Sequence, residues 1–177
     1  RGRVSAANMP DSSSFTSRSA LFGYGLALMV LIGDQITKHW ASATLAYRDP
    51  VAVTSWFDLM LAHNTGAAFS FLADAGGWQR WFFTVVTLVV SVVLVVWLSR
   101  LSRSQVWLSL GLGLILGGGL GNLWDRLALG YVVDFVSLHY REWYWPAFNV
   151  ADSAISIGAV LLIVDSFSSR KASPSET

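Results

Sequence analysis

Ionisable and amide side chains stand out in this chain, because only 13% of its 177 residues are charged and 54% are apolar. Eight of these side chains, which lie within or next to long apolar segments, form four groups: Asp34 with Lys38, Asn122 with Asp125 and Arg126, Asp134 alone, and Asn149 with Asp152. Spacings of three or four residues place the members of a group on one face of a helix. Two carboxylates held about 3 Å apart share one proton and so supply an acid and a base together. The pattern indicates carboxylate chemistry.

Each group also has a purely structural explanation. Asp34 and Lys38 could form an ion pair that anchors a helix end, and Asp125 could pair with Arg126 in the same way. Arg126 is equally suited to hold a phosphate or a peptide carbonyl. These alternatives stay open for each group alone. Together, groups gathered at one side of a membrane favour a functional pocket.

The last group precedes and begins a predicted helix. Asn149 could cap this helix, and the Asp152 carboxylate could favour the positive end of the helix dipole. Asp165 lies at the opposite end of the same helix, away from the other groups, and is expected to be solvated.

Several other chemistries are excluded or disfavoured by the sequence. The chain has no cysteine, which excludes disulfides, thiolate metal sites and thiol nucleophiles. The three histidines are scattered without an H-E-x-x-H motif, and no G-x-S-x-G motif is present, so neither a metal nor a serine mechanism is expected. The net charge of +1 gives no indication of a nucleic-acid partner.

Four apolar segments are long enough to carry these groups across or into a bilayer. Roughly 20 residues span the hydrocarbon core as a helix. The predicted spans cover residues 20–40, 78–98, 105–127 and 149–167. Nine tryptophans are typical of a chain with two membrane–water interfaces. The sequence therefore predicts an α-helical integral membrane protein.

Basic residues predict the orientation of the four spans. They precede the first span, separate the second from the third, and follow the fourth, so these regions share one side, which the positive-inside rule makes cytoplasmic. Two longer connections, residues 41–77 and 128–148, lie on the other side. The four polar groups lie near that side as well, so the candidate pocket is predicted to be extracytoplasmic.

Short strands and close helix packing are also predicted. Residues 57–61 roughly alternate in polarity, residues 132–136 look extended, and an aromatic run follows at 143–145. In the third span, Gly113, Gly117 and Gly121 recur every four residues, which favours close approach of another helix over a flexible or kinked helix.

The two ends of the chain are polar. Residues 1–19 are interpreted as a disordered lead-in, and residues 1–8 precede Met9, a candidate natural start. Residues 20–168 are predicted to form the membrane domain, and residues 169–177 a polar cytoplasmic tail.

Five motifs together resemble the lipoprotein signal peptidase (signal peptidase II) family, which are aspartyl peptidases of family A8. In order they are D-Q-I-T-K at 34–38, H-N-T-G-A-A-F at 63–69, G-G-L-G-N-L-W-D-R at 118–126, V-D-F at 133–135 and F-N-V-A-D at 148–152. Each motif is weak alone, but five in order at family-like spacing are specific. The likeness covers about residues 21–167.

The resemblance assigns roles to individual positions. It implies that Asp134 and Asp152 are the catalytic dyad and that Asp34, Lys38 and Asp125 support it. It also implies a set of substrate-binding residues: Asn64, Gly66, Asn122, Arg126, Asn149 and Ala151. No metal or other cofactor is implied.

The resemblance also implies an activity and partners. A member of this family is a bacterial inner-membrane endopeptidase that removes the signal peptide of a prolipoprotein, cutting just before a cysteine that bears diacylglycerol. A small extracytoplasmic sheet at the membrane surface, inhibition by globomycin-type peptides, contact with membrane lipid and a monomeric state are expected. From the residues alone, the alternatives are a small proton-coupled transporter or channel and a structural subunit.

Overall fold

Four long helices dominate the structure, a computed structural model that describes residues 17–65 and 77–171. They are α1 (Arg18–Thr44), α2 (Trp78–Ser99), α3 (Val106–Ala128) and α4 (Val150–Lys171). Each is long and apolar enough to cross a membrane, which confirms the four predicted spans. Gly66 and most of the predicted polar ends lie outside the described residues.

Two helices extend beyond the predicted bounds. Helix α1 continues to Thr44, so residues 41–44 are helical rather than part of the first connection, and α4 continues to Lys171. Hydropathy marks only the apolar part of a helix, whereas hydrogen bonding continues into the polar end. The Leu45 amide, for example, donates to the Ala41 carbonyl at 2.9 Å. At the other end of α1, Ser17 caps the helix and accepts from the Ala20 amide at 3.1 Å.

Helix α3 lies between α1 and α4 and packs closely on both. A Cβ atom added to Gly117 would lie 2.5 Å from the carbonyl oxygen of Ala27, and one added to Gly113 would lie 2.6 Å from that of Gly23. This backbone-to-backbone contact confirms close packing through the glycine row. A second face of α3 meets α4, where a Cβ on Gly118 would collide with the carbonyl of Ala151.

A four-stranded antiparallel sheet covers one end of the helices. Its strands are β1 (Val51–Ala52), β2 (Phe57–Asn64), β3 (Val132–Tyr140) and β4 (Trp143–Tyr144), in the order β1-β2-β3-β4. The sheet joins the two predicted connections and confirms the predicted strands. We call this the sheet end of the bundle: α1 and α3 end there, and α2 and α4 begin there.

The pairing of β2 with β3 sets which side chains meet at the sheet end. Asn64 lies opposite Val132 and Ala62 opposite Asp134, after a shift in register between Leu59 and Ala62. The end of the first connection is thereby held beside the start of the second.

Replacing Gly117 by alanine tests the packing of α3. The added methyl group meets backbone atoms of α1, so we expect Gly117→Ala to lower the free energy of unfolding by about 1–3 kcal/mol. Thermal unfolding in detergent measures the change. Gly25→Ala is the matched control, because nothing lies within 4 Å of a Cβ there. Equal stability of the two variants would contradict the packing.

Candidate active site

The two carboxylates singled out from the sequence meet at the sheet end. Asp134 lies in β3 and is only 2% exposed. Asp152 lies in the first turn of α4 and is partly buried. Asn122 comes from the last turns of α3, and Asn64 from the end of β2. Four separate elements thus contribute to one polar cluster.

Asn149 connects the two carboxylate-bearing residues. Its side-chain amide donates to Asp134 Oδ1 at 2.7 Å and to the Val133 carbonyl at 3.1 Å. Its side-chain oxygen accepts from the Asp152 amide at 2.9 Å. Asn149 is therefore the predicted cap of α4, because a cap residue accepts from an amide three residues later. The same side chain fixes Asp134 relative to this helix.

The Asp134 carboxylate accepts from a second side-chain amide, and the Asp152 carboxylate accepts from one. Asn64 donates to Asp134 Oδ2 at 3.1 Å, and Asn122 donates to Asp152 Oδ1 at 2.7 Å. Burial, and next the charge of Asp152, raise the pKa of Asp134 to about 7, although the hydrogen bonds from Asn64 and Asn149 oppose this rise. Asp134 is therefore able to carry a proton near neutral pH.

A buried ion cluster lies directly beneath this pair. Lys38 Nζ lies 2.8 Å from Asp34 Oδ2 and 2.9 Å from Asp125 Oδ2, and it donates to Asn122 Oδ1 at 2.9 Å. All three ionised side chains are at most 3% exposed. The ion pair predicted between Asp34 and Lys38 is confirmed. The alternative pairing of Asp125 with Arg126 is wrong, because Lys38 of α1 forms the ion pair with Asp125 instead.

The ion cluster holds the backbone next to both carboxylates of the pair. Asp34 Oδ1 accepts from the Ala151 amide at 2.9 Å, and Asp125 Oδ2 accepts from the Val133 amide at 3.0 Å. Ala151 directly precedes Asp152, and Val133 directly precedes Asp134. The cluster thus uses charge-assisted hydrogen bonds to position two segments of backbone, the start of α4 and the start of β3.

Arg126 borders the cluster without an ion pair to it among the described residues. Its Nη1 donates to the Asn122 carbonyl at 3.3 Å, and its guanidinium lies 5.5 Å from the centre of the Phe83 ring. Its Nε atom is buried and has no hydrogen-bond partner in the described part of the chain. A buried, unpaired donor costs about 1–3 kcal/mol, so an incoming oxygen atom would be bound favourably.

Two residues of the site were missed by the sequence reasoning. Gln35 donates to Asp125 Oδ1 at 2.9 Å and to the Gly121 carbonyl at 3.2 Å. Arg80, at the start of α2, donates to the last carbonyls of α3, those of Arg126 and Leu127, at 2.8 and 3.1 Å. One signal was available for Arg80, since it lies on the side opposite the basic loops.

The remaining predicted site residues are Ala151 and Gly66. Ala151 is fully buried and contributes its backbone amide, as described above. Gly66 lies outside the described residues. Among residues 17–65 and 77–171, no group of three or more His, Asp or Glu side chains is arranged to hold a metal ion. Independence from metal stays a prediction.

Comparison with known proteins decides between the enzyme and the alternatives. The profile of the signal peptidase (SPase) II family, peptidase family A8, matches residues 26–168. The chain belongs to the signal peptidase II family. The match covers most of the first span, the three other predicted spans and every predicted site residue, so this signal peptidase II is a multi-pass membrane protease. The transporter or channel hypothesis finds no support in these comparisons.

Relatives match over nearly the whole length. Lipoprotein signal peptidase of Pseudomonas syringae pv. tomato is 50% identical over 166 residues, which are 92% of this chain and 96% of the relative. The protein of the same name from Ectopseudomonas mendocina is 52% identical with the same coverage. A bacterial membrane enzyme solved by the in meso method superimposes with a TM-score of 0.77 at 27% identity, over 88% of this chain and 93% of that one.

Removing the lysine tests the buried ion cluster. Lys38→Met leaves two carboxylates without a counter-charge, and we expect it to lower the free energy of unfolding by about 3–5 kcal/mol. A triple variant, Asp34→Asn with Lys38→Met and Asp125→Asn, should recover most of the loss because no charge remains. Arg100→Met, at an exposed position, is the control. Thermal unfolding that ranks Lys38→Met with the control would contradict the cluster's role.

Proposed function

We propose that this signal peptidase II removes the signal peptide of prolipoproteins by aspartyl-protease chemistry, with Asp134 and Asp152 as the catalytic dyad. The observation that carries the proposal is the bridge made by Asn149, which bonds to the Asp134 carboxylate and to the Asp152 backbone. One side chain thereby joins the Asp134 carboxylate to the backbone of Asp152, and both carboxylates accept from amides of the same polar cluster. Aspartyl proteases use two nearby Asp carboxylates that share one proton.

The proposed mechanism uses one shared proton. The ionised carboxylate takes a proton from a water molecule as the water oxygen attacks the scissile carbonyl carbon. The protonated carboxyl supplies the proton that the leaving nitrogen needs when the carbon–nitrogen bond breaks. Two close carboxylates cannot both ionise readily, so one proton remains between them. Their pKa values belong to the pair, and either residue is able to serve as acid or base in a given step.

The surrounding amides suit an extended substrate backbone. Asn64, Asn122 and Asn149 offer donors and acceptors without adding charge next to the dyad. The unpaired Nε–H of Arg126 is able to donate a hydrogen bond to a substrate carbonyl or to an oxygen of the polar part of the lipid. Gly66 and Ala151 are proposed to line the same substrate groove, as the family resemblance implies.

The proposed location follows from the charge distribution. Basic residues flank the ends of the helices opposite the sheet, and the positive-inside rule therefore supports termini in the cytoplasm and a dyad at the periplasmic face of the bacterial inner membrane. Residues 20–168 act as one peptidase domain and work as a monomer. The substrate carries diacylglycerol on its cysteine, contacts membrane lipid, and competes with globomycin-type peptide inhibitors.

Replacement of either dyad member tests the chemistry. Asp134→Asn and Asp152→Asn should each insert normally and leave a diacylated prolipoprotein uncut in a gel-shift assay, because an amide neither accepts nor supplies the shared proton. Asp165→Asn, at the far end of α4, is the control and should cut at the wild-type rate. Substantial cleavage by either purified dyad variant would contradict the proposal.

A chelator tests whether the reaction depends on a metal ion. It should leave wild-type cleavage unchanged, and a loss of cleavage that zinc restores would indicate a metal mechanism.

The dependence of cleavage on pH tests the proton carrier. Because the pKa of Asp134 is raised to about 7, the dyad keeps its proton below that pH and loses it above. We expect kcat to fall as the pH rises through about 7. Asn64→Ala removes a hydrogen bond that favours the ionised form, so the falling limb should move to higher pH. A limb that stays in place or moves to lower pH would contradict the assignment.

A further inference from the structure

The first turns of α2 hold Arg126 at two points. Arg80 Nε donates to the Arg126 carbonyl at 2.8 Å, and the Arg126 guanidinium lies 5.5 Å from the centre of the Phe83 ring. Arg80 and Phe83 are three residues apart and so lie on one face of α2. One helix thus contacts both the backbone and the side chain of Arg126.

We propose that Arg80 and Phe83 are positioning residues, which act through Arg126 to strengthen binding of the substrate. This inference rests on the proposed function, because it names what holds the Arg126 guanidinium where an oxygen atom of the substrate would bind. It assigns α2 a part in substrate recognition and none in the proton transfers of the dyad.

The first support is the way in which α3 ends. In a continuing helix the Gly130 amide would donate to the Arg126 carbonyl, four residues earlier. Here it donates instead to the Asp125 carbonyl at 3.2 Å. The Arg126 carbonyl is thereby left to Arg80, whose Nη2 also donates to the Leu127 carbonyl at 3.1 Å.

The second support is the fit of Arg80 against the turn that follows α3. Gly130 has a φ of 89°, and a Cβ atom there would lie 3.2 Å from Arg80 Nη1, closer than ordinary van der Waals contact. The missing side chain leaves room for the guanidinium. Its planar fork presents donors to two successive carbonyls, and its charge lies at the negative end of the α3 dipole. Arg80 is therefore built into the end of α3.

The third support is the state of the Arg126 side chain. Its Nε atom is buried and has no hydrogen-bond partner in the described part of the chain. Nε is the guanidinium nitrogen nearest to the main chain, so a shift of the backbone at Arg126 moves this donor as well. Hydrogen bonds weaken steeply as they bend. Loss of the contacts with α2 is therefore expected to weaken the bond from Nε to a substrate oxygen.

A double-mutant cycle tests the proposal on the full-length protein in detergent. Arg80→Ala should raise KM for a diacylated precursor about tenfold, as expected for one lost charge-assisted hydrogen bond, and change kcat less than about twofold. On an Arg126→Ala background the same substitution should raise KM less than about twofold, because the group that Arg80 positions is absent. Arg80→Lys should recover part of the loss, since an ammonium group donates to a carbonyl without the planar fork.

Gly113→Ala is the matched control for lost stability. Its added Cβ atom would lie 2.6 Å from the Gly23 carbonyl oxygen, so it disturbs the packing of α3 roughly 20 Å along the helix from Arg126. We expect it to lower the thermal unfolding temperature and leave KM unchanged. A rise in KM equal to that of Arg80→Ala would assign the effect to stability and overturn the proposal.

Phe83→Leu covers the case in which Arg80→Ala does not fold. Leucine keeps an apolar side chain at this position but removes the ring face, so KM should rise about threefold, and only while Arg126 is present. For variants that cut too slowly, the Kd of a fluorescent diacylated precursor replaces KM. It is measured by anisotropy on the Asp152→Asn background, which is expected to hold the precursor uncut.

The outcomes separate this proposal from the proposed function. Equal increases in KM with and without Arg126, a fall in kcat at unchanged KM, or a wild-type KM in Arg126→Ala would each overturn the positioning role while the peptidase activity stands. If the wild type cuts no diacylated precursor, the proposed function fails and this inference falls with it.

Discussion

The charge on Lys38 is the constraint on which the rest of the site depends. It lies between Asp34 and Asp125 in a setting with almost no exposure to solvent. Each of these carboxylates also accepts a hydrogen bond from one backbone amide, that of Ala151 for Asp34 and that of Val133 for Asp125. Those amides belong to the residues immediately before the proposed catalytic pair. A single buried cation therefore links the helices to the geometry of the dyad.

Charges buried in this way cost free energy unless every partner is present. Removing a partner is consequently more damaging than the net stabilisation from the cluster would suggest. The benefit of such a cluster lies in precision: it fixes α1, α3, α4 and β3 relative to one another. The proposed mechanism needs that precision, because small displacements of a catalytic group cost large factors in rate.

Packing and chemistry meet at Gly121. A Cβ atom on this residue would lie 2.5 Å from Asp34 Oδ2, so only glycine leaves room for the carboxylate. The glycine row that allows α1 and α3 to approach thus also admits the buried ion cluster between them. Farther along α3, Gly118 allows α4 to approach at Ala151. The small residues of α3 place both flanking helices where the polar groups require them.

Much of this arrangement was predictable from the sequence. The four spans follow from length and hydropathy, and the ordered motifs identify the family. The partners of the polar residues were harder to predict. Spacing along α3 suggested that Asp125 pairs with Arg126, whereas Lys38 is brought to Asp125 by the packing of another helix. A pattern within one element does not report such contacts between elements.

The two residues that the sequence did not indicate, Gln35 and Arg80, were missed for the same physical reason. Gln35 points between helices, and Arg80 caps a helix that is distant in sequence. Neither role produces a local periodicity. The ends of α1 and α4 were also misjudged, because hydropathy falls at the membrane surface while helical hydrogen bonding continues. The β2–β3 pairing, by contrast, was only hinted at by alternation, and its register depends on tertiary contacts.

The proposed sharing of one proton by Asp134 and Asp152 is tested most directly by infrared spectroscopy of protein labelled with ¹³C-aspartate. A protonated carboxyl group has a carbonyl stretching band that is separate from those of ionised carboxylates. We expect one such band at mildly acidic to neutral pH, its loss as the pH rises through about 7, and its loss or shift in both Asp134→Asn and Asp152→Asn. A spectrum without a protonated aspartate in that range, or a band indifferent to both substitutions, would contradict a shared-proton dyad.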